Sequence, residues 1–222
     1  MTSAGNSTPD DETRARLLRA GVELFAERGF QRVTVRDICR AAQANVAAVN
    51  YYFGGKLGLY QQIVREALAA LRGAAQAIEA PLGTPAPERL RLYVRSYIPR
   101  IARPEGAALL MQRIMSHEMQ DPTPVAPQIA RSIILPRIEY LSTIVAELLA
   151  CSDDDPRVGR CVMSLQAQCL FYLPNRFRRA ALKQWDKAMA ADLDAAAEHI
   201  AEFSLAGIAH MACANLTSTN NA

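Results

Sequence analysis

No run of apolar residues in this 222-residue chain approaches the roughly 20 that a membrane-spanning helix needs. Cysteine is sparse and unpatterned. Cys39, Cys151, Cys161, Cys169 and Cys213 are odd in number, sit among apolar neighbours and form no CxxC pair, which removes the common zinc and redox motifs. Hydrolase chemistry lacks its signature too, because no GxSxG occurs. Cys161, Cys169, His117 and His199 are potential nucleophiles and bases, but no motif joins them. His210 and Cys213 stand three apart with no further ligand nearby, so neither a metal nor a cofactor is expected. The GGK at 54–56 is not a phosphate loop, since the rest of that pattern is missing and Leu57 stands where Ser or Thr should be. The first twelve residues carry three acids and no base, unlike a secretory leader, and a cytoplasmic protein is expected.

What the chain has is helix pattern and an uneven charge. Half its residues are hydrophobic and 21% are charged, as in a globular protein of one large or two small domains. Residues 13–60 hold eight bases against three acids, while 61–222 hold 17 against 16. A basic N-terminal third beside a near-neutral body suits a small nucleic-acid module, although a solvated helix surface gives the same count. Within that third, Leu17, Leu18, Gly21, Leu24 and Phe25 form one apolar stripe on a helix over 13–28, capped by Thr13 and ended by Gly29. Thr34 and Asp37 have capping-box spacing for a second helix with Val35, Ile38 and Ala42 on its apolar face. After a break at Gln43 and Ala44, Asn45 caps a third helix from Val46 to about Tyr52. This spacing fits a helix-turn-helix, and equally an ordinary helical hairpin.

The remainder reads as all-α, about nine helices in total, with no convincing strand and no repeat. A helix from Leu57 to about Arg72 leads out of the N-terminal unit, and Pro81, Gly83, Pro85 and Pro87 mark a loop. Helices follow at roughly 86–102, 105–119, 125–150, 156–173 and 186–214, with Pro136 expected to kink the third of these. The expected domains are a disordered tail at 1–12, a helix-turn-helix at 13–60, a larger helical body at 61–214 and a frayed end at 215–222.

Residues 14–60 resemble the DNA-binding domain of the tetracycline-repressor (TetR) family. The resemblance is carried by Leu17, Leu18, Ala20, Leu24, Phe25, Gly29, Phe30, Thr34, Val35, Ile38, Ala42, Tyr52, Phe53, Lys56 and Leu59, in family order and spacing. Gln43 replaces the family's usual turn glycine and Asn50 its usual tyrosine, so operator preference does not carry over. The run NYYFGGK resembles the CecR-type branch.

Several site assignments follow as expectations. Thr34, Asn45 and Lys56, each at a helix start, are candidates for phosphate contact, as is Arg36. Val46, Ala47 and Ala48 have short side chains suited to thymine methyls, although at least one should face inward, and Asn50 suits adenine or phosphate. Tyr52 resembles the family's phosphate-contacting aromatic, and Tyr51 fits either core or contact. Tyr93, Tyr97, Met111, Met115, His117, Phe171 and Tyr172 are candidate effector walls, with plain core packing as the competing reading. In the last helix Leu193, Ala196, Ile200, Phe203, Gly207 and His210 alternate steps of three and four, a packing seam. The resemblance assigns that seam, with Cys161, Leu165 and Cys169, to a homodimer interface. It implies a regulator that binds double-stranded DNA as a homodimer, most simply a repressor of a palindromic operator released by a small hydrophobic effector. An all-α enzyme and a helical partner-binding module are the rival classes.

Overall fold

The computed structural model describes residues 9–76 and 80–219. Its α-helices are α1 Pro9–Arg32, α2 Val35–Ala42, α3 Val46–Phe53, α4 Lys56–Gln76, α5 Ala86–Ala102, α6 Gly106–Glu118, α7 Ala126–Ile129, α8 Leu135–Leu149, α9 Pro156–Leu170, α10 Arg176–Ala181, α11 Lys183–Ala191 and α12 Leu193–Thr219. No strand occurs among the described residues. The fold is all-α, as expected, and the surplus over nine helices has two sources. The rod expected at 125–150 is split by a π-helical segment, Ala130–Ile134, and two short helices fill 176–191. The π segment has a local cause. Pro136 has no N–H to donate, and its ring crowds the carbonyl four residues back, at Ser132.

The N-terminus departs from expectation. Helix α1 begins at Pro9, so residues 9–12, expected in the tail, are helical, and only 1–8 lie outside the described residues. Thr13 does not cap it; its hydroxyl donates to the Pro9 carbonyl at 2.9 Å, a bond inside the helix. Gly29 does interrupt the helix, with φ 76°. At the other end α12 continues to Thr219, and only 220–222 of the expected frayed tail lie outside the described residues.

Packing divides the chain into two compact units. The first joins Met1–Arg72 to Glu105–Ser132; the second joins Gly73–Pro104 to Ile133–Ala222. The first is built on an aromatic cluster, in which Tyr60 meets Phe25 at 5.0 Å and Phe30 at 5.1 Å between ring centroids. Helix α6 packs on α1 here, with Met111 and Ile114 buried. A buried polar knot ties it further. The Tyr60 hydroxyl donates to Glu118 at 2.7 Å, and the same carboxylate accepts from the Thr123 N–H and hydroxyl, both at 2.9 Å. Burial and this bond push the Tyr60 phenol far up. At the α3–α4 junction Gly58 is obligatory: a Cβ there would lie 1.8 Å from the Phe53 carbonyl oxygen.

In the second unit α12 packs on α5, α8 and α9 around a core that includes Leu90, Val94, Ile98, Leu141, Ile144 and Leu165. Arg91 pairs with Glu202 at 2.7 Å and Arg95 with Glu198, linking α5 to α12. Such exposed pairs set register more than they stabilise.

Candidate nucleic-acid interface

The helix-turn-helix forms through local chemistry. The Asp37 N–H donates to the Thr34 hydroxyl oxygen at 3.2 Å, and the Thr34 N–H donates back to the Asp37 carboxylate at 3.0 Å. These bonds lower the pKa of Asp37, those from Thr34 ahead of the charge of Arg40. Asn45 caps α3, its side-chain oxygen accepting the Ala47 N–H at 2.9 Å. Between the helices Gln43 adopts φ 50°, ψ 48°, the left-handed region that a glycine would occupy without strain.

Helix α3 buries only Val49 completely and leaves a continuous outer surface. Val46, Ala47 and Asn50 are exposed, Ala48 is half-buried and Tyr51 is 78% exposed. That resolves Tyr51 as a surface residue and makes Val49 the inward anchor. Arg36 is exposed on α2, beside Arg40, whose nearest carboxylate is Asp37 at 3.8 Å. The outer surface of α3 therefore presents a methyl-bearing start, an amide and a phenol beside exposed guanidinium groups. That is a chemistry for groove edges and phosphates.

Three candidates are already engaged within the fold. The Thr34 hydroxyl and N–H serve the capping box. Lys56 donates to the carbonyls of Phe30 and Val33, both at 2.9 Å, and its ammonium lies 4.1 Å from the Phe30 ring centroid. Burial lowers its pKa. Lys56 thus fastens α4 to the end of α1 and does not present a free charge. Tyr52 is half-buried, and its hydroxyl donates to Asp10 at the start of α1, a bond that pushes the phenol up to about 12.

The effector candidates divide between the units. Met111, Met115 and His117 belong to the first, where the His117 Nε2 lies 3.4 Å from the Ala26 carbonyl and the ring abuts Gly29. His117 thereby joins α6 to α1, while Met111 is buried and Met115 half-buried in that unit. Tyr93, Tyr97, Phe171 and Tyr172 belong to the second. Tyr93 and Tyr97 are buried and stacked at 5.3 Å; Tyr172 is half-buried and Phe171 exposed. Three polar partners of this group escaped sequence reasoning. Gln166 donates to the Tyr93 hydroxyl at 2.8 Å, Arg137 donates to the Tyr97 hydroxyl at 2.5 Å, and the Tyr140 ring lies 6.3 Å from that of Tyr93.

The residues read as a dimer seam also need re-sorting. Cys161, Leu165, Cys169, Leu193 and Ile200 belong to the second unit's own core, and Ala196 is half-buried. In α12 the steps of three and four at Leu193, Ala196 and Ile200 follow packing inside this unit. Phe203, at 64% exposure, and Gly207 lie on the outer side of α12, with Ala206 and His210. On α9 the outer side carries Met163, Ala167 and Leu170, with Met163 66% exposed. Burial raises the Cys169 thiol to about 12 and raises Cys161 as well, so neither is an activated nucleophile. Among the described residues no group of three or more metal-ligating side chains occurs, and no helix is long and apolar enough to cross a membrane.

Comparison with known proteins agrees with this geometry. Residues 17–63 match the family of bacterial regulatory proteins, tetR family, and residues 86–208, more than half of the chain, match the C-terminal domain of the HTH-type transcriptional dual regulator CecR. CecR of Shigella flexneri is 26% identical over 168 residues, 71% of this chain and 74% of that one. A TetR-like transcriptional regulator from Rhodococcus sp. RHA1 superposes with a TM-score of 0.58 at 16% identity, covering 89% of this chain and 96% of the other. AibR, solved in complex with isovaleryl coenzyme A and operator DNA, gives 0.56 at 17% identity over 87% of this chain and 96% of its own.

Proposed function

The chain belongs to the TetR family of bacterial regulatory proteins, in its CecR-type branch, and from that premise we propose that it is a homodimeric repressor of a palindromic operator, released by a small hydrophobic effector. DNA-binding regulation, not catalysis, is the business of this family. The observation that carries the finer reading is the outer surface of α3. Val46, Ala47, Asn50 and Tyr51 stand exposed on a short helix anchored by one inward residue, Val49, and fixed at both ends by caps. Nothing in the first unit's core requires that exposure, whereas a groove-reading helix does.

Dimerisation is supported by the outer sides of α9 and α12. Met163 and Phe203 are large, apolar and exposed, with small Ala167, Ala206 and Gly207 nearby in sequence, a pattern that lets a second helix pair approach closely. A two-fold dimer carries two recognition helices and reads two half-sites about 34–36 Å apart. The effector clause draws on AibR and its coenzyme A ester, and works by linkage: the effector must bind the DNA-incompetent state better.

The test is selection of genomic duplex fragments by purified protein, with Ala47→Glu as the control, since Ala47 is exposed and its replacement leaves the core intact. Enrichment of one inverted repeat, lost in the variant and weakened steeply by salt, is expected. A single asymmetric half-site bound by monomers would overturn the dimeric reading, and absence of any duplex binding at low salt would overturn the whole.

A further inference from the structure

A recess in the second unit gathers three arginines. Arg103 at the end of α5 meets Arg178 and Arg179 of α10 there, and Tyr172, Met189 and Leu193 give it an apolar side. Arg103 comes from a distant part of the chain, so the fold makes this convergence, not a basic run alone. No carboxylate occurs among the described residues that line the recess. Its volume is about 70 Å³, room for a few waters or one small head group, and too little for a whole organic molecule. The surrounding sequence adds to the field: residues 174–191 carry Arg176, Arg178, Arg179, Lys183 and Lys187 against one acid, Asp186. Such a local excess concentrates anions.

Arg178 is set in place before any ligand arrives. Its guanidinium donates to the Phe171 carbonyl and, at 3.3 Å, to the Leu173 carbonyl, and lies 5.4 Å from the centroid of the Phe171 ring. These bonds occupy two of its five N–H donors. A guanidinium held in this way loses little freedom when an oxyanion meets it. Arg179, its neighbour on α10, is exposed. The apolar side of the recess continues outward along α11. Leu182, Trp185 and Met189 follow one another by three and four residues, so they share one side of that helix. Met189 is half-buried at the recess, whereas Trp185 is 65% and Leu182 46% exposed. A small charged recess therefore opens beside an exposed apolar strip.

We propose that this recess binds the head group of a phosphate monoester, with Arg103, Arg178 and Arg179 on its oxygens and the apolar body of the ligand lying over Met189 and Trp185. Three arginines select for charge and for oxygen count. A phosphate monoester brings a charge of about −1.5 to −2 at neutral pH and three strong acceptors, so it can meet more than one guanidinium at once. A carboxylate brings one charge and two oxygens. The volume of the recess sets the division of the ligand: the head group fills it, and the body stays outside, where it covers the exposed indole. The site goes beyond the reading of the chain as a regulator and holds whether or not its ligand controls DNA binding.

Trp185 is the chain's single tryptophan, so its emission reports on this site directly. The experiment titrates the full-length protein with hexyl phosphate, hexanoate and hexanol at fixed ionic strength, by tryptophan fluorescence and by calorimetry. Hexyl phosphate is expected to bind saturably and shift the emission, with hexanoate at least fivefold weaker and hexanol without effect. Inorganic phosphate is expected to compete with it. Arg179→Gln, a change at an exposed position, is expected to lower the affinity tenfold or more. Trp185→Ala, followed by calorimetry, is expected to weaken hexyl phosphate about threefold and inorganic phosphate not at all, which separates the body's contacts from those of the head group. Hexanol or hexanoate that matches hexyl phosphate, an Arg179→Gln protein that binds equally well, or no response to hexyl phosphate would overturn the site. So would displacement of hexyl phosphate by a short random duplex, lost in Arg179→Gln, because it would assign the arginines to a nucleic-acid backbone.

Discussion

Asp10 and Gln43 show how single residues trade stability against function in the DNA-binding unit. Asp10 holds the Tyr52 hydroxyl and sets a carboxylate, with Asp11 and Glu12 behind it, where the proposal needs a phosphate. Asp10→Asn is therefore expected to tighten duplex binding about threefold at low salt, with the gain shrinking as ionic strength rises. Fluorescence anisotropy across a salt series reads this directly, and unchanged affinity would place Tyr52 outside the interface. Gln43 holds a left-handed backbone that costs a non-glycine residue about 1 kcal/mol. Gln43→Gly is expected to raise unfolding free energy by roughly 0.5–1 kcal/mol, part of the strain relief being offset by the freer unfolded chain. Urea denaturation measures it; a destabilised variant would mean that the Gln43 side chain makes a contact worth more than the strain.

At the scale of elements, legibility tracks how far a bond reaches along the chain. The caps of α2 and α3 span two or three residues, so Thr34, Asp37 and Asn45 announced them. The disruption expected at Pro136 surfaced as the π segment just before it for the same local reason. Glu118, Arg137 and Gln166 make their defining bonds across 58, 40 and 73 residues, and no sequence period encodes such a partner. The seam of α12 was visible as a period but not as a destination: an apolar stripe says that a helix packs, not on which chain. Exposure then separates Phe203 and Gly207 from Ile200 and Leu193. A lysine at a helix start looks free in the sequence, and only the fold brings the carbonyls of Phe30 and Val33 around Lys56. Gly58 belongs to this scale because it governs how α3 meets α4. Gly58→Ala forces its methyl into the Phe53 carbonyl, so a loss of more than about 3 kcal/mol and of duplex binding is expected. Circular dichroism melting and the duplex assay check both, and a native-like melt would show that the junction can open.

For the whole molecule the deciding quantity is assembly. Phe203→Glu replaces an apolar surface residue by a charge without touching the core of the second unit. It is expected to yield monomers by light scattering and to weaken palindrome binding by more than tenfold, because two linked heads act at a high effective concentration. A variant that stays dimeric would move the interface elsewhere.

The first unit is discontinuous, closing only when Glu105–Ser132 joins Met1–Arg72, and this limits how the protein can be cut and recombined. Grafting residues 1–72 alone onto a foreign sensor would leave the Tyr60 hydroxyl without Glu118 and Gly29 without the His117 ring against it. A transplantable head must carry two separate stretches of gene, so shuffling by a single crossover after the helix-turn-helix delivers a part whose interior is unfinished.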